Sequence, residues 1–332
     1  MCVKHIERRR ITKGSQYMKQ IKIRFLVIPL VFIALFSSIT TVSVHAAEGG
    51  YSNYIPGFYG DFGLAVEPPT ALSVRNDTYY YSANGGTSVR SGLIELDVDL
   101  SLIYNYTSLL HKPGFEVFGA QYAYGGTLAF GKVDVEASLF IDNLQVNVQD
   151  DNCGMGDITL VPAMLFWNKN NFHFSLAQYI VAPTADYDKN ALANFGLNYW
   201  TYETDIAATY LNEETGQDYS IVVGYNYNTE NNDTDYQTGQ EIHIDYAINQ
   251  FFSESWAVGI HGFYLKQITG DSGSGAILGD FKSEAAGIGP AILWSPKRFN
   301  GKVNFIAKWL HEYRAERRLE GDHIFFSLAV SL

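Results

Sequence analysis

Cysteine is nearly absent. Of 332 residues only Cys2 and Cys153 carry a thiol, and Cys2 lies in a segment expected to be removed. Cys153 alone supports no intrachain disulfide. Charge is scarce too, at 17% of residues, and there are only 9 prolines. The apolar run over residues 25–36 falls short of the ~20 residues that a membrane-spanning helix needs. Beyond it no helical 3.6-residue period of any length recurs. In their place stand 23 tyrosines, 21 phenylalanines and 30 glycines, with 47% hydrophobic residues. Mean hydropathy is −0.07. A chain this long can bury a large core, which excludes intrinsic disorder. Little charge and many aromatics suit a protein that meets two different solvents.

Residues 1–46 read as a secretory leader. A basic stretch ends in Met18-Lys19-Gln20-Ile21-Lys22-Ile23-Arg24, the apolar run follows, and Val44-His45-Ala46-Ala47 offers an A-x-A-like site with cleavage after Ala46. Met18 is a second candidate start. Cleavage removes eight of the 23 basic residues and one of the 35 acids, which leaves a net charge of −19. A surface that acidic excludes nucleic acid as a partner.

The recurring signal is a two-residue period. Ile94, Leu96, Val98, Leu100, Leu102, Tyr104 and Tyr106 share one face, against Glu95, Asp97, Asp99, Ser101 and Asn105. Val133, Val135, Ala137, Leu139 and Ile141 alternate with Asp134, Glu136, Ser138 and Asp142. The pattern returns at Ile221–Tyr227, at Ile242–Ile248 against Glu241, His243 and Asp245, and at the C-terminus (Ile324, Phe326, Leu328, Val330, Leu332). A soluble sandwich and a transmembrane barrel share this alternation. The segments reach the ~9–11 residues that cross a bilayer with tilt, and aromatics gather near their ends as interfacial girdles do. The expectation is an all-β, transmembrane, antiparallel up-and-down barrel. Its apolar faces should meet lipid and its polar faces the lumen.

Fourteen segments can be counted, and twelve remains open because 183–192 would form a long periplasmic turn. A hairpin is expected at Gly131-Lys132. Loops 230–237 and 269–281 belong outside the cell, with short turns near 252–254 and 296–300 inside. The domain plan is a leader (1–46), a plug-like segment (47–70) and the barrel (71–332). Residues 47–70 lack a strand period and are rich in Gly, Pro and aromatics. Tyr54, Pro56, Phe58, Tyr59, Asp61 and Phe62 are the residues expected to fill the lumen and contact a ligand.

Several motifs carry a resemblance: Gly50-Tyr51-Ser52-Asn53-Tyr54-Ile55-Pro56-Gly57-Phe58-Tyr59-Gly60-Asp61-Phe62, Arg75-Asn76-Asp77-Thr78-Tyr79-Tyr80-Tyr81, Pro183-Thr184-Ala185-Asp186-Tyr187-Asp188, Gly196-Leu197-Asn198-Tyr199-Trp200 and Gly287-Ile288-Gly289-Pro290. Across nearly the whole mature chain the sequence resembles the meta-pathway of phenol degradation family of outer-membrane transporters, which includes sphingosine-induced outer-membrane proteins. More remotely it is similar to long-chain fatty acid and toluene channels. The resemblance implies a Gram-negative outer-membrane location and passive uptake of small hydrophobic or aromatic compounds. The alternative is a closed-lumen surface barrel that binds a ligand or serves adhesion through its loops. Membrane lipid, lipopolysaccharide and the outer-membrane assembly machinery are the expected partners, with no cofactor.

With apolar faces outward, the lumen would receive Glu95, Asp97, Asp99, Asp134, Glu136, Glu241, His243 and Asp245, faced by Lys302 and Lys308 from the C-terminal strands. Such charges either set a transverse field or pair and hold the lumen closed, and narrow barrels are usually filled. No catalytic constellation emerges. Gly126–Val133 lacks the Ser/Thr of a phosphate loop, and Gly270-Asp271-Ser272-Gly273 lacks a histidine partner. His243 between Glu241 and Asp245 reads as a solvated lumen histidine, since one imidazole falls short of a metal's ligand count. No metal site is expected.

Overall fold

The computed structural model describes residue 48 and residues 50–90, 93–141, 144–279 and 281–332, without the side chains of 86–97 and 139–146. The leader expected over residues 1–46 lies outside them. The alternating segments become strands β1 (Leu72–Arg90), β2 (Leu93–His111), β3 (Glu116–Val117), β4 (Ala120–Ile141), β5 (Leu144–Met155), β6 (Ile158–Lys169) and β7 (Phe172–Ala182). They continue as β8 (Thr201–Asn212), β9 (Gln217–Asn228), β10 (Glu241–Ser253), β11 (Trp256–Gln267), β12 (Glu284–Trp294), β13 (Val303–Glu316) and β14 (Glu320–Ser331). Sequence neighbours pair antiparallel except β2 with β3 and β5 with β6; β1 pairs with β14, and β2 pairs with β4 across the two-residue β3. The sheet therefore closes on itself and leaves few edges.

The barrel has twelve strand positions, because β5 and β6 share one. β5 pairs with residues 130–141 of β4 and β6 with residues 121–127. The expected hairpin is also absent. Gly131 and Lys132, expected at a hairpin, lie mid-strand opposite Tyr104 and Ile103. A Cβ on Gly131 would collide with the Ile103 carbonyl, so this glycine marks a close backbone approach rather than a turn. Residues 193–200 belong to a loop, and only 201–212 form a strand. The loop 183–200 emerges at the same end as 229–240 and 268–283. It is therefore a long loop at the long-loop end and not a turn at the short-turn end.

Strand lengths are unequal. β1 and β2 have 19 residues and β4 has 22, whereas β14 has 12. β1 runs on beyond its last β14 partnership, Asn84 with Glu320. The excess of β1, β2, β4 and β5 rises past the rim of the other strands at the long-loop end. The outer edge of β5 has no strand partner among the described residues. Loop 183–200 covers it: Asp150 accepts the Leu192 and Ala193 N–H groups at 2.9 Å. Asp157, in the break between β5 and β6, accepts those of Thr184 and Ala185 at 2.8 and 2.9 Å.

From β8 to β14 the apolar face points outward: Ile206 is 64% exposed, Ile248 54% and Phe326 61%. On β2 and β4 the faces are reversed. Val98, Leu100, Leu102, Tyr104, Val133, Val135 and Ala137 are buried in the principal core, together with Tyr54, Tyr79, Tyr81 and Phe195. The physical reason lies in height. By register Asp99 and Glu136 lie level with Glu320 at the start of β14, and Asp134 lies two residues further in, level with Asp322, so the polar face of β2 and β4 comes out near this rim.

Candidate functional site

Inside the barrel lies the stretch that has no strand period. Residue 48 stands at the long-loop end, where its carboxylate accepts from Asn231 Nδ2 at 3.0 Å. Descending, Asn53 donates to Thr201 Oγ1, Tyr54 to Asp245 and the Gly63 amide to Asp218, each at 2.7 Å. Asp61 pairs with Arg75 of β1. At the short-turn end Lys112 grips Glu67 at 2.5 Å and the Pro68 carbonyl, and the chain then turns into β1. Residue 48 and residues 50–71 thus traverse the lumen from one end to the other.

Glycine and proline keep this segment out of regular structure. Its carbonyls must therefore find partners elsewhere. Lys308 of β13, 3% exposed, supplies them by donating to the carbonyls of Gly57 at 2.6 Å, Gly60 at 2.8 Å and Phe58 at 3.1 Å. Gly57 has φ +77° and sits against Leu310, so a side chain there is both strained and crowded. The aromatic side chains pack outward from the segment. Phe58 meets Tyr106 at 5.7 Å, Tyr59 meets Tyr179 at 5.5 Å, and Phe62 meets His261 at 5.0 Å. Each ring buries roughly 150–250 Å², an upper bound of about 4–6 kcal/mol at 25 cal/mol per Å².

The lumen has two unlike walls. From β8 to β11 it is polar, with Glu203, Asp205, Asp218, Glu241, His243, Asp245 and His261 all buried. From β1 through β2, β4, β6 and β7 it is mainly aliphatic and aromatic, with Arg75 and the buried Asp77 of β1 as an ion pair within it. Between that second wall and the inner segment runs a cavity of about 510 Å³. Tyr79, Tyr81, Leu100, Leu102, Tyr104, Tyr106, Val161, Phe166 and Tyr179 line it. So do Tyr54, Pro56, Phe58, Tyr59, Asp61 and Phe62 of the segment. Its lining reaches Arg318 at the long-loop end and Pro68, Leu110 and Ser331 at the other. At its upper part Phe195 and Leu197 of loop 183–200 line it. Burial and the adjacent Asp271 carboxylate push the Tyr236 phenol up, so its hydroxyl remains a donor to Asp271 at 2.5 Å.

The residues expected in the lumen divide. Glu241, His243, Asp245 and Lys308 point inward and are buried. Asp99 and Glu136 are exposed on the outer face. Asp134 is also on that face, where it pairs with Lys132 at 2.6 Å. Lys302 is exposed in the turn before β13. The side chains of Glu95 and Asp97 lie outside the described set. A lumen with an acidic wall from β2 and β4 is therefore not what forms, because those strands turn their apolar faces inward. His243 is 0% exposed and so is not solvated. Tyr79 and Tyr81 face inward at 4% and 5% exposure, and only Tyr80 between them faces out. The cavity wall on β1 and β2 escaped the sequence reading for this reason. Its signal was the same alternation, read with the opposite sign.

A closed antiparallel barrel with an apolar outer wall and a lined interior defines an outer-membrane protein of the channel type. Residues 79–328 match the family described as "MetA-pathway of phenol degradation", and the chain belongs to that family. Among solved structures it is similar to the COG4313 outer membrane channel from Pseudomonas putida F1. The TM-score is 0.63 at 17% identity, over 84% of this chain and 99% of that one. The translocator domain of autotransporter NalP from Neisseria meningitidis covers 81% of this chain at 11% identity and TM-score 0.45. A Pseudomonas aeruginosa FadL homologue covers 88% at 10% identity and TM-score 0.39. The likeness to the COG4313 channel is one of fold, and the other two are too distant to carry an argument. No curated protein matches the sequence.

Proposed function

We propose that this barrel admits small hydrophobic or aromatic compounds passively across the outer membrane, along the cavity between its inner segment and the β1–β2–β4–β6–β7 wall. The supporting observation is the composition of that cavity. Tyrosines, phenylalanines and leucines continue along it from the long-loop end to the short-turn end. Such a surface favours planar apolar solutes through area removed from water and ring contacts. Hydrated ions gain neither. In this reading the long-loop end faces outside and the short turns face the periplasm. Residues 48–70 then act as a plug that narrows the lumen to one apolar side.

Transfer needs no covalent step, because binding and diffusion suffice. The test is planar-bilayer conductance of the mature protein and of a variant lacking residues 48–66, with uptake of a radiolabelled aromatic compound in cells carrying each. Deletion should raise unit conductance several-fold and abolish the preference for the aromatic solute. Unchanged conductance rejects a plug. A silent wild type that still binds the compound would favour the closed-lumen binding barrel.

A further inference from the structure

We propose that Glu203, Asp205 and His243 form a binding site for one divalent first-row transition-metal cation on the polar wall behind the inner segment. The site arises from strand register. Asp205 of β8 and His243 of β10 are both cross-strand partners of Gly224 on β9. All three lie in one row across the sheet, with adjacent strands about 4.8 Å apart. Gly224 is the middle member, and a Cβ there would run into both His243 Nε2 and Asp205 Oδ1. Its missing side chain is the space over which the two neighbours converge. Glu203, two residues from Asp205 on the same face, reaches the same point. The three donor atoms lie within 4.8 Å of one another, with His243 Nε2 at 3.0 Å from Glu203 and 3.5 Å from Asp205.

Two further observations point to a cation. Neither carboxylate oxygen of Asp205 has a hydrogen-bond partner among the described residues, although the residue is only 4% exposed. Its ionic contact among the described residues is His243 Nε2 at 3.5 Å, which Glu203 holds more closely at 3.0 Å, and a buried carboxylate so thinly compensated is costly. With Asp245, three buried carboxylates surround one imidazole, and no described lysine or arginine forms an ion pair with any of them. A protonated His243 offsets one of those charges, whereas a divalent cation offsets two and can take up the Asp205 oxygens directly.

Asp245 lies 3.3 Å from His243 Nδ1, the place of the carboxylate that orients a metal-bound imidazole and turns its other nitrogen to the ion. Two carboxylates and one imidazole suit zinc or manganese better than calcium, which prefers all-oxygen shells. The Tyr54 ring stacks on His243 at 3.9 Å and its hydroxyl holds Asp245, so the inner segment roofs the site.

The experiment uses the tag-free mature protein in detergent, stripped with EDTA and titrated with Zn²⁺ by calorimetry and with Co²⁺ by visible absorption. One equivalent should bind, with a Co²⁺ ligand-field band. Asp205→Asn, Glu203→Gln and Gly224→Ala should each weaken binding at least tenfold. His311→Gln, which alters an exposed histidine beside Asp322, should leave it unchanged. Heat-modifiable migration on a denaturing gel identifies the variants that fold. If the wild type takes up no saturable equivalent, the site does not exist. Uptake that survives Asp205→Asn and Glu203→Gln places the ion elsewhere and equally overturns the proposal. Either result leaves the conduction reading intact, since that rests on the aromatic and aliphatic lining from β1, β2, β4, β6 and β7, to which Asp205 and His243 do not belong, although Glu203 borders the cavity as well.

Discussion

Lys308 shows how one side chain can hold an irregular segment. Its ammonium satisfies three carbonyls that have no strand to pair with, and it lies 4.6 Å from the centre of the Phe325 ring. Lys308→Met keeps the stem and removes the donors, leaving three buried carbonyls unsatisfied at about 1–3 kcal/mol each before relaxation. The inner segment should loosen, seen as noisier single-channel traces and faster protease cleavage within residues 48–70. Wild-type traces from this variant would argue that the aromatic contacts suffice alone. Leu102 and Asp99 test which face of β2 lines the cavity. Leu102→Gln puts an amide on the apolar path and should lower aromatic uptake several-fold, while Asp99→Asn, on the outer face, should leave it unchanged. The reverse outcome would restore the orientation first expected from sequence.

At the scale of elements, the break at Gly156 and Asp157 matters most. It lets one strand position be filled by two segments, β5 against the upper half of β4 and β6 against the lower half. The price is an exposed upper edge on β5, which loop 183–200 closes. Asp157 anchors that loop at Thr184, Ala185 and Leu197, the last at 3.3 Å, and the Phe195 carbonyl accepts from Tyr104 at 3.1 Å. Asp157→Ala should free the loop at a cost of about 1–3 kcal/mol. Limited proteolysis should then cut within residues 183–200, where the wild type resists. A loop that stays protected would mean that Asp150 and the Phe195 packing hold it unaided.

On the scale of the whole molecule, the outer wall from β6 to β14 is apolar around its circumference, with Trp256, Trp294 and Phe305 stacked near the short-turn end. Exposed apolar patches on soluble monomers rarely exceed a few hundred Å². The mature chain should therefore keep its fold only in detergent or lipid, checked by light scattering and heat-modifiable gel migration as detergent is withdrawn. A folded monomer in plain buffer would remove the membrane from this account.

The two-residue period, the scarcity of charge and the aromatic content by themselves determined a β-barrel with one greasy surface. They also singled out residues 47–70 as a segment without strand character. Local pattern could do this because alternation is a property of consecutive residues. It could not decide which face of β2 and β4 turns inward. A period of two separates faces without a sign, and the sign depends on strand height above the lipid and on what fills the lumen. Nor could it bring Asp205, Gly224 and His243 into one row. That row exists only through register between strands, set by pairing along the closed sheet between residues distant in the chain.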